Sequence, residues 1–166
     1  MRRKEREINE KKLLEQIMEE CRVCSVAFSD DKYPYVIPMN FGILWEEKLP
    51  VLYFHGAATG KKIDCMDRDC RVAFCMASEK ELKLKTPACG STMLYASVCR
   101  TGCLRRVNDG NEKIKGLTAV MCQYDRTKKD FEFSREAADA TQVLRLDVET
   151  ISGKSNWMRQ DNDESD

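Results

Sequence analysis

Three β-type runs stand close together near the start of the chain, and the gaps between them are too short for parallel crossovers. Val23–Phe28 and Tyr35–Leu44 flank the polar Ser29-Asp30-Asp31-Lys32, which suits a hairpin turn, and Val51–Phe54 follows soon after. Parallel neighbours need a connection of about a dozen residues or more, so these runs predict an antiparallel meander. Further β-type runs are Arg71–Met76, Met93–Val107 and Gln142–Ile151. Between them lie helical patterns. Leu13, Leu14, Ile17, Met18 and Cys21 recur at three- and four-residue spacing, as do Ile114, Leu117, Val120, Met121 and Tyr124, and Thr59–Asp67 reads as a short helix. The polar stretch Ser78–Ser91, with Pro87 and Gly90, reads as a long loop. Strands that cluster early and return after each helix disfavour a doubly wound sheet. They predict a mainly β (α+β) fold, a small antiparallel barrel plugged or flanked by helices.

A chain of 166 residues is the size of one domain. Ser152-Gly153 closes the last run, which gives a domain over residues 1–154 and a C-terminal tail over 155–166. Lys and Arg number 28 against 28 Asp and Glu, so no net field draws the protein to nucleic acid or anionic lipid. No apolar run approaches the roughly 20 residues that span a bilayer, and the charged start lacks a secretory signal. These features predict a cytoplasmic protein with neither a membrane nor a nucleic-acid partner. The nine cysteines are odd in number and scattered, which predicts reduced thiols serving as small core residues. Cys21-x-x-Cys24 has no second pair to match it and the chain has one histidine, so no metal site is expected.

Two segments carry candidate chemistry. Val51–Asp64 delivers that histidine, His55, from an apolar strand into a small-residue turn closed by Gly60, Lys61 and Lys62. A helix beginning there presents unpaired N–H groups and a positive dipole end, and two lysines beside it make an anion pocket. An ordinary strand–turn–helix connection with solvated lysines has the same pattern. A nucleoside-triphosphate P-loop is excluded by counting, because three residues rather than four separate Gly56 from Gly60 and Lys62 stands where a hydroxyl is needed. In the second segment, Tyr35–Gly42, Pro38 interrupts a strand at an edge or bulge. Backbone groups near Met39 and Asn40 are then free to bond a planar heterocycle. A plain edge strand is the alternative.

Tyr33-Pro34-Tyr35-Val36-Ile37-Pro38-Met39-Asn40-Phe41-Gly42, followed by Leu52-Tyr53-Phe54-His55-Gly56 and Gly60-Lys61-Lys62-Ile63-Asp64, resembles the nitroimidazole-resistance proteins. These are pyridoxamine 5′-phosphate oxidase-like flavoproteins, and the similarity runs from Met1 to about Lys154. The resemblance implies a six-stranded antiparallel split β-barrel with flanking helices, a homodimer, and FMN in a cleft between subunits. It further implies that Pro38, Met39 and Asn40 line the flavin ring, that His55, Gly56 and Ala57 lie along ring and ribityl chain, and that Lys61 and Lys62 take the phosphate. Ser97 and Val98 match a segment near the cofactor, and Trp157 is placed either to cover the flavin across the interface or to dock on its own domain. Three departures stand out: Ala96 replaces an arginine, Gly56 a common serine, and Ala58 an acidic residue. The implied activity is FMN-dependent reduction of a small acceptor such as a nitroimidazole or other nitroaromatic, with NAD(P)H as donor; near a flavin, His55 is a candidate catalytic proton donor, and a hydrogen bond to the ligand or a structural role are its alternatives. A non-enzymatic flavin or haem binder and a cofactor-free relative are the rival readings.

Overall fold

The computed structural model describes residues 3–128 and 130–158. Its strands are β1 (Glu7–Ile8), β2 (Cys24–Phe28), β3 (Tyr35–Met39), β4 (Gly42–Glu46), β5 (Leu49–Gly56), β6 (Arg71–Lys83), β7 (Thr92–Val107) and β8 (Gln142–Ser155). The helices are α1 (Lys11–Glu20), α2 (Lys61–Arg68), α3 (Gly110–Tyr124) and α4 (Arg135–Ala140). All strands pair antiparallel in one sheet of order β3-β2-β6-β7-β8-β5-β4, with β1 on β8.

β3 and β4 are opposite edges of this sheet, yet only Asn40 and Phe41 separate them. Three peptide steps reach about 10 Å at most, so the sheet must curl until its edges nearly meet without pairing. That is a split barrel. The six runs read from the sequence are all present, with β1 added and the run over 35–44 divided in two. The break falls at Asn40–Phe41 rather than at Pro38, which stays in β3 opposite Ser25. Because β3 is an edge, proline's missing N–H costs no ladder bond there. The meander is therefore incomplete: β3 pairs with β2, and β4 with β5.

The barrel interior is filled from α1 (Leu14, Ile17, Met18), β2 (Val26, Phe28), β5 (Leu52, Phe54), β6 (Phe74, Met76) and α2 (Ile63, Met66). α1 ends without a glycine cap. Its last carbonyls are instead taken by Gln123 of α3, whose Nε2 donates to Met18 O at 3.1 Å, Glu19 O at 3.3 Å and Cys21 O at 2.9 Å. α3 covers the outer face of β4, β5 and β8 through a second cluster containing Val51, Tyr53, Ala119, Val120 and Val143. Asp109 caps it, accepting from Glu112 N at 2.8 Å.

An ionic knot fastens this helix. Arg145 of β8 bonds Glu46 of β4 at 2.8 Å, Glu112 of α3 at 3.1 Å and Asp147 at 2.5 Å, and donates to the Tyr53 hydroxyl at 3.2 Å. Its partners hold the Glu46 carboxyl below the ordinary glutamate range, Arg145 being the largest cause. Arg145→Ala removes the group that joins these carboxylates, leaving Glu112 and Asp147 to Arg105 and Glu46 to Lys115, and we expect a loss of about 1 kcal/mol in denaturant unfolding. An unchanged midpoint would show that the knot is decorative.

Three other features differ from the sequence reading. β6 continues to Lys83, so the expected loop shortens to 84–91; residues 79–90 are exposed on both faces, which removes the alternation that marks a strand. α4 was not expected. Cys70 and Cys103 form a disulfide, because β6 and β7 bring together residues 33 apart in sequence. No described helix is long and apolar enough to cross a membrane, and the described residues hold no metal-ligating cluster.

Candidate functional site

β5 ends in His55 and Gly56, opposite Val143 and Gln142 of β8, and the chain then turns through Ala57–Gly60 into α2. Gly60 has φ +107°, a conformation L side chains rarely adopt. Among the described residues, no backbone N–H from Ala57 to Lys62 has an acceptor, and the first turn of α2 has no side-chain cap. A row of free donors at a helix start is suited to an anion.

The two lysines are not equivalent. Lys61 pairs with Asp30 of the β2–β3 turn at 2.7 Å and lies over the Tyr35 ring at 5.1 Å. Arg68 reaches the same carboxylate at 2.7 Å. Asp30 is held well below the usual carboxylate range by Lys61 first and Arg68 second, and the hydrogen bond to Asp30 raises Lys61. Lys62 is half-buried, has no hydrogen bond or ion pair among the described residues, and is pushed down by desolvation. A Cβ on Gly56 would come within 2.8 Å of its Nζ, so the ammonium lies over that glycine. Lys62 is thus a cation partly removed from water without a counter-charge.

Sequence reasoning missed Arg106. From β7 it donates to Ala58 O at 3.3 Å and Gln142 Oε1 at 3.5 Å, and pairs with Asp67 of α2 at 2.6 Å. It ties the turn to the helix and engages the Ala58 carbonyl. Beside the turn, a cleft of about 660 Å³ is lined by Asp30–Val36 and Lys61. His55 is exposed and makes no hydrogen bond among the described residues.

Of the remaining expected residues, Ser97, Val98 and Trp157 lie toward the other end of β7 and β8, whereas Asn40 stands two residues before Gly42, which faces Tyr53 of β5. Pro38, Ser25, Cys75 and Cys99 form one row across β3, β2, β6 and β7. Pro38 and Asn40 are exposed, and Asn40 Nδ2 donates to Arg22 O at 3.5 Å, whereas the Met39 side chain joins the core. Ser97 is half-buried; Val98 and Ala96 are fully buried, so Ala96 faces the barrel interior. Trp157 lies against Lys80, whose Nζ is 3.5 Å from the ring centroid, and its enclosed Nε1 has no acceptor. Val107 shares a ladder row with His55 through Val143, and Ser97 lies earlier on the same strand by roughly 30 Å of extended chain. One chain therefore gathers His55, Gly56, Ala57, Lys61 and Lys62 at one end of β7 and β8, with Ser97 and Trp157 at the other.

The profile of the family described as pyridoxamine 5′-phosphate oxidase matches residues 10–155. Among solved structures, a candidate 5-nitroimidazole antibiotic resistance protein from Bacteroides thetaiotaomicron is 30% identical, with 90% of this chain and 86% of that one covered at a TM-score of 0.73. An FAD- and haem-binding protein from Mycobacterium smegmatis is 20% identical, with 96% and 78% covered and a TM-score of 0.77. The flavocytochrome Anf3 from Azotobacter vinelandii is 18% identical, with 95% and 72% covered and a TM-score of 0.72. No curated protein matches by sequence.

Proposed function

Because the chain belongs to the pyridoxamine 5′-phosphate oxidase family, we propose that it binds a flavin, FMN in particular, and works as a flavin-dependent oxidoreductase. The observation that carries this reading is Lys62: a half-buried ammonium with no counter-charge among the described residues, beside a run of free N–H groups, is suited to an anion that completes it. The residues present fit a phosphate monoester. Lys62 and the N–H groups of Ala57–Lys62 hold it, Arg106 fixes the turn, and Lys61 balances Asp30 and borders the cleft. Pro38 and Asn40 supply an exposed, sparsely bonded edge for a ring, with the backbone of Met39 between them. When bound, the flavin supplies two-electron transfer between a donor and an acceptor. In this reading His55, exposed beside Gly56, gives a proton to the reduced acceptor.

The donor in this reading is NAD(P)H and the acceptor a nitroimidazole or another nitroaromatic, as suggested by the resistance protein among the relatives. The working unit is a homodimer in the cytoplasm. The separation of the two residue groups within one chain favours two copies, since Ser97, Val98 and Trp157 reach the loop cluster only from a partner. A non-enzymatic flavin or haem binder is the second reading, supported by the haem-binding relative.

The test uses purified protein reconstituted with FMN. The expected result is a yellow species, at twice the 19.1 kDa chain mass in light scattering, bleached by NADPH or NADH and recoloured by a nitroaromatic. A bound flavin that neither nicotinamide reduces overturns the enzyme, and a haem Soret band with no flavin uptake overturns the cofactor.

A further inference from the structure

We propose that Cys75 and Cys99 are a redox modification site: a dithiol that closes to a cross-strand disulfide by exchange with a low-molecular-weight disulfide such as oxidised glutathione. The two residues are direct partners in the β6–β7 register. Directly opposed antiparallel residues have Cα atoms about 4.5 or 5.5 Å apart, and both spacings lie inside the range a disulfide tolerates. The sulfurs are already 3.1 Å apart, with the Cys99 thiol donating to Cys75 Sγ. No main-chain movement is needed to join them.

The two thiols differ in a way that orders the steps. Cys75 is exposed, whereas Cys99 is half-buried and pushed up to about 12 by burial first and its bond to Cys75 second. Cys75 therefore meets the reagent. Its sulfur attacks one sulfur of the external disulfide, a mixed disulfide forms on Cys75, and one small thiol leaves with a proton. Cys99 then gives up its proton and attacks the Cys75 sulfur, releasing the second small thiol. The protein loses two electrons and two protons, and the external disulfide becomes two thiols.

The surroundings admit such a reagent. Ser25, Ala27, Ala73 and Thr101 leave a shallow hollow of about 370 Å³ around the pair, and Arg100 borders it with a charge that suits the carboxylates of a peptide thiol. No other free cysteine among the described residues has a sulfur bonded to another sulfur: Cys21, Cys24 and Cys65 are buried, and Cys89 and Cys122 have no cysteine partner.

The inference does not depend on flavin binding. It is tested on the full chain carrying Cys89→Ser, incubated to constant mass in glutathione buffers from reducing to oxidising. Alkylation, tryptic digestion and mass spectrometry then follow peptides Val72–Lys80 and Thr86–Arg100, each of which holds one of the two cysteines. The expected result is that the two peptides become linked under oxidising buffer, that reduced glutathione frees them, and that Cys99→Ser stops at a glutathione adduct on Cys75. Separate adducts on both cysteines without a link overturn the proposal. So does a Cys75 that stays free throughout.

Discussion

Replacing Lys62 with glutamine is expected to weaken FMN binding about 10- to 100-fold, the equivalent of losing one charge-assisted hydrogen bond worth about 1.5–3 kcal/mol. Riboflavin, which lacks the phosphate, should bind the variant and the parent alike. Lys61→Gln should cost less, because Asp30 already neutralises Lys61. Affinity should also depend on pH in a defined direction. Burial lowers Lys62 from its ordinary 10.5, and a bound phosphate favours the ammonium again, so binding takes up a proton once the free-protein lysine is neutral. FMN affinity is then level above about pH 7, where the phosphate is already a dianion, and falls as pH rises through the depressed value, beginning below 10.5, the ordinary lysine value. The fall should vanish in Lys62→Gln. Fluorescence titrations of both flavins across this range decide the matter, and equal losses for FMN and riboflavin would remove the phosphate from Lys62.

Gly42→Ala is expected to be the most damaging single methyl in the barrel. An added Cβ would land on the main chain of α3 at Ala119 and Val120. A side chain in the way could rotate, but a helix backbone has to lift, so the cost is on the order of 3 kcal/mol. For a chain of this size that corresponds to a fall of about 6–12 °C in Tm, read by circular dichroism. Gly110→Ala supplies the control, since its added Cβ meets nothing within 4 Å. An equal shift in both variants would refute the close approach of α3 to β4.

The elements legible in the sequence are those with one buried face. α1 announces itself through Leu14, Ile17 and Met18, and β7 through buried Ala96, Val98 and Leu104 alternating with less buried neighbours. The outer part of the β6–β7 hairpin was not legible because water wets both its faces. The break at Asn40–Phe41 was equally hidden, since it follows from barrel closure and not from local preference. At the site, the sequence singles out the lysine pair but not the difference between its members, which depends on Asp30 from a distant turn. Arg106 had no local signal at all: its partner Ala58 lies 48 residues away. The cysteine pairings depend in the same way on the β6–β7 register, which composition cannot supply.

β8 lies in the interior of the sheet, bonded to β7 on one side and to β5 and β1 on the other, although it follows all of them in the chain. Translation therefore leaves β5 and β7 with open, adhesive borders until β8 has left the ribosome. Assembly of the sheet must wait for β8, and a nascent chain stalled before Gln142 would be a substrate for chaperones rather than a smaller working protein.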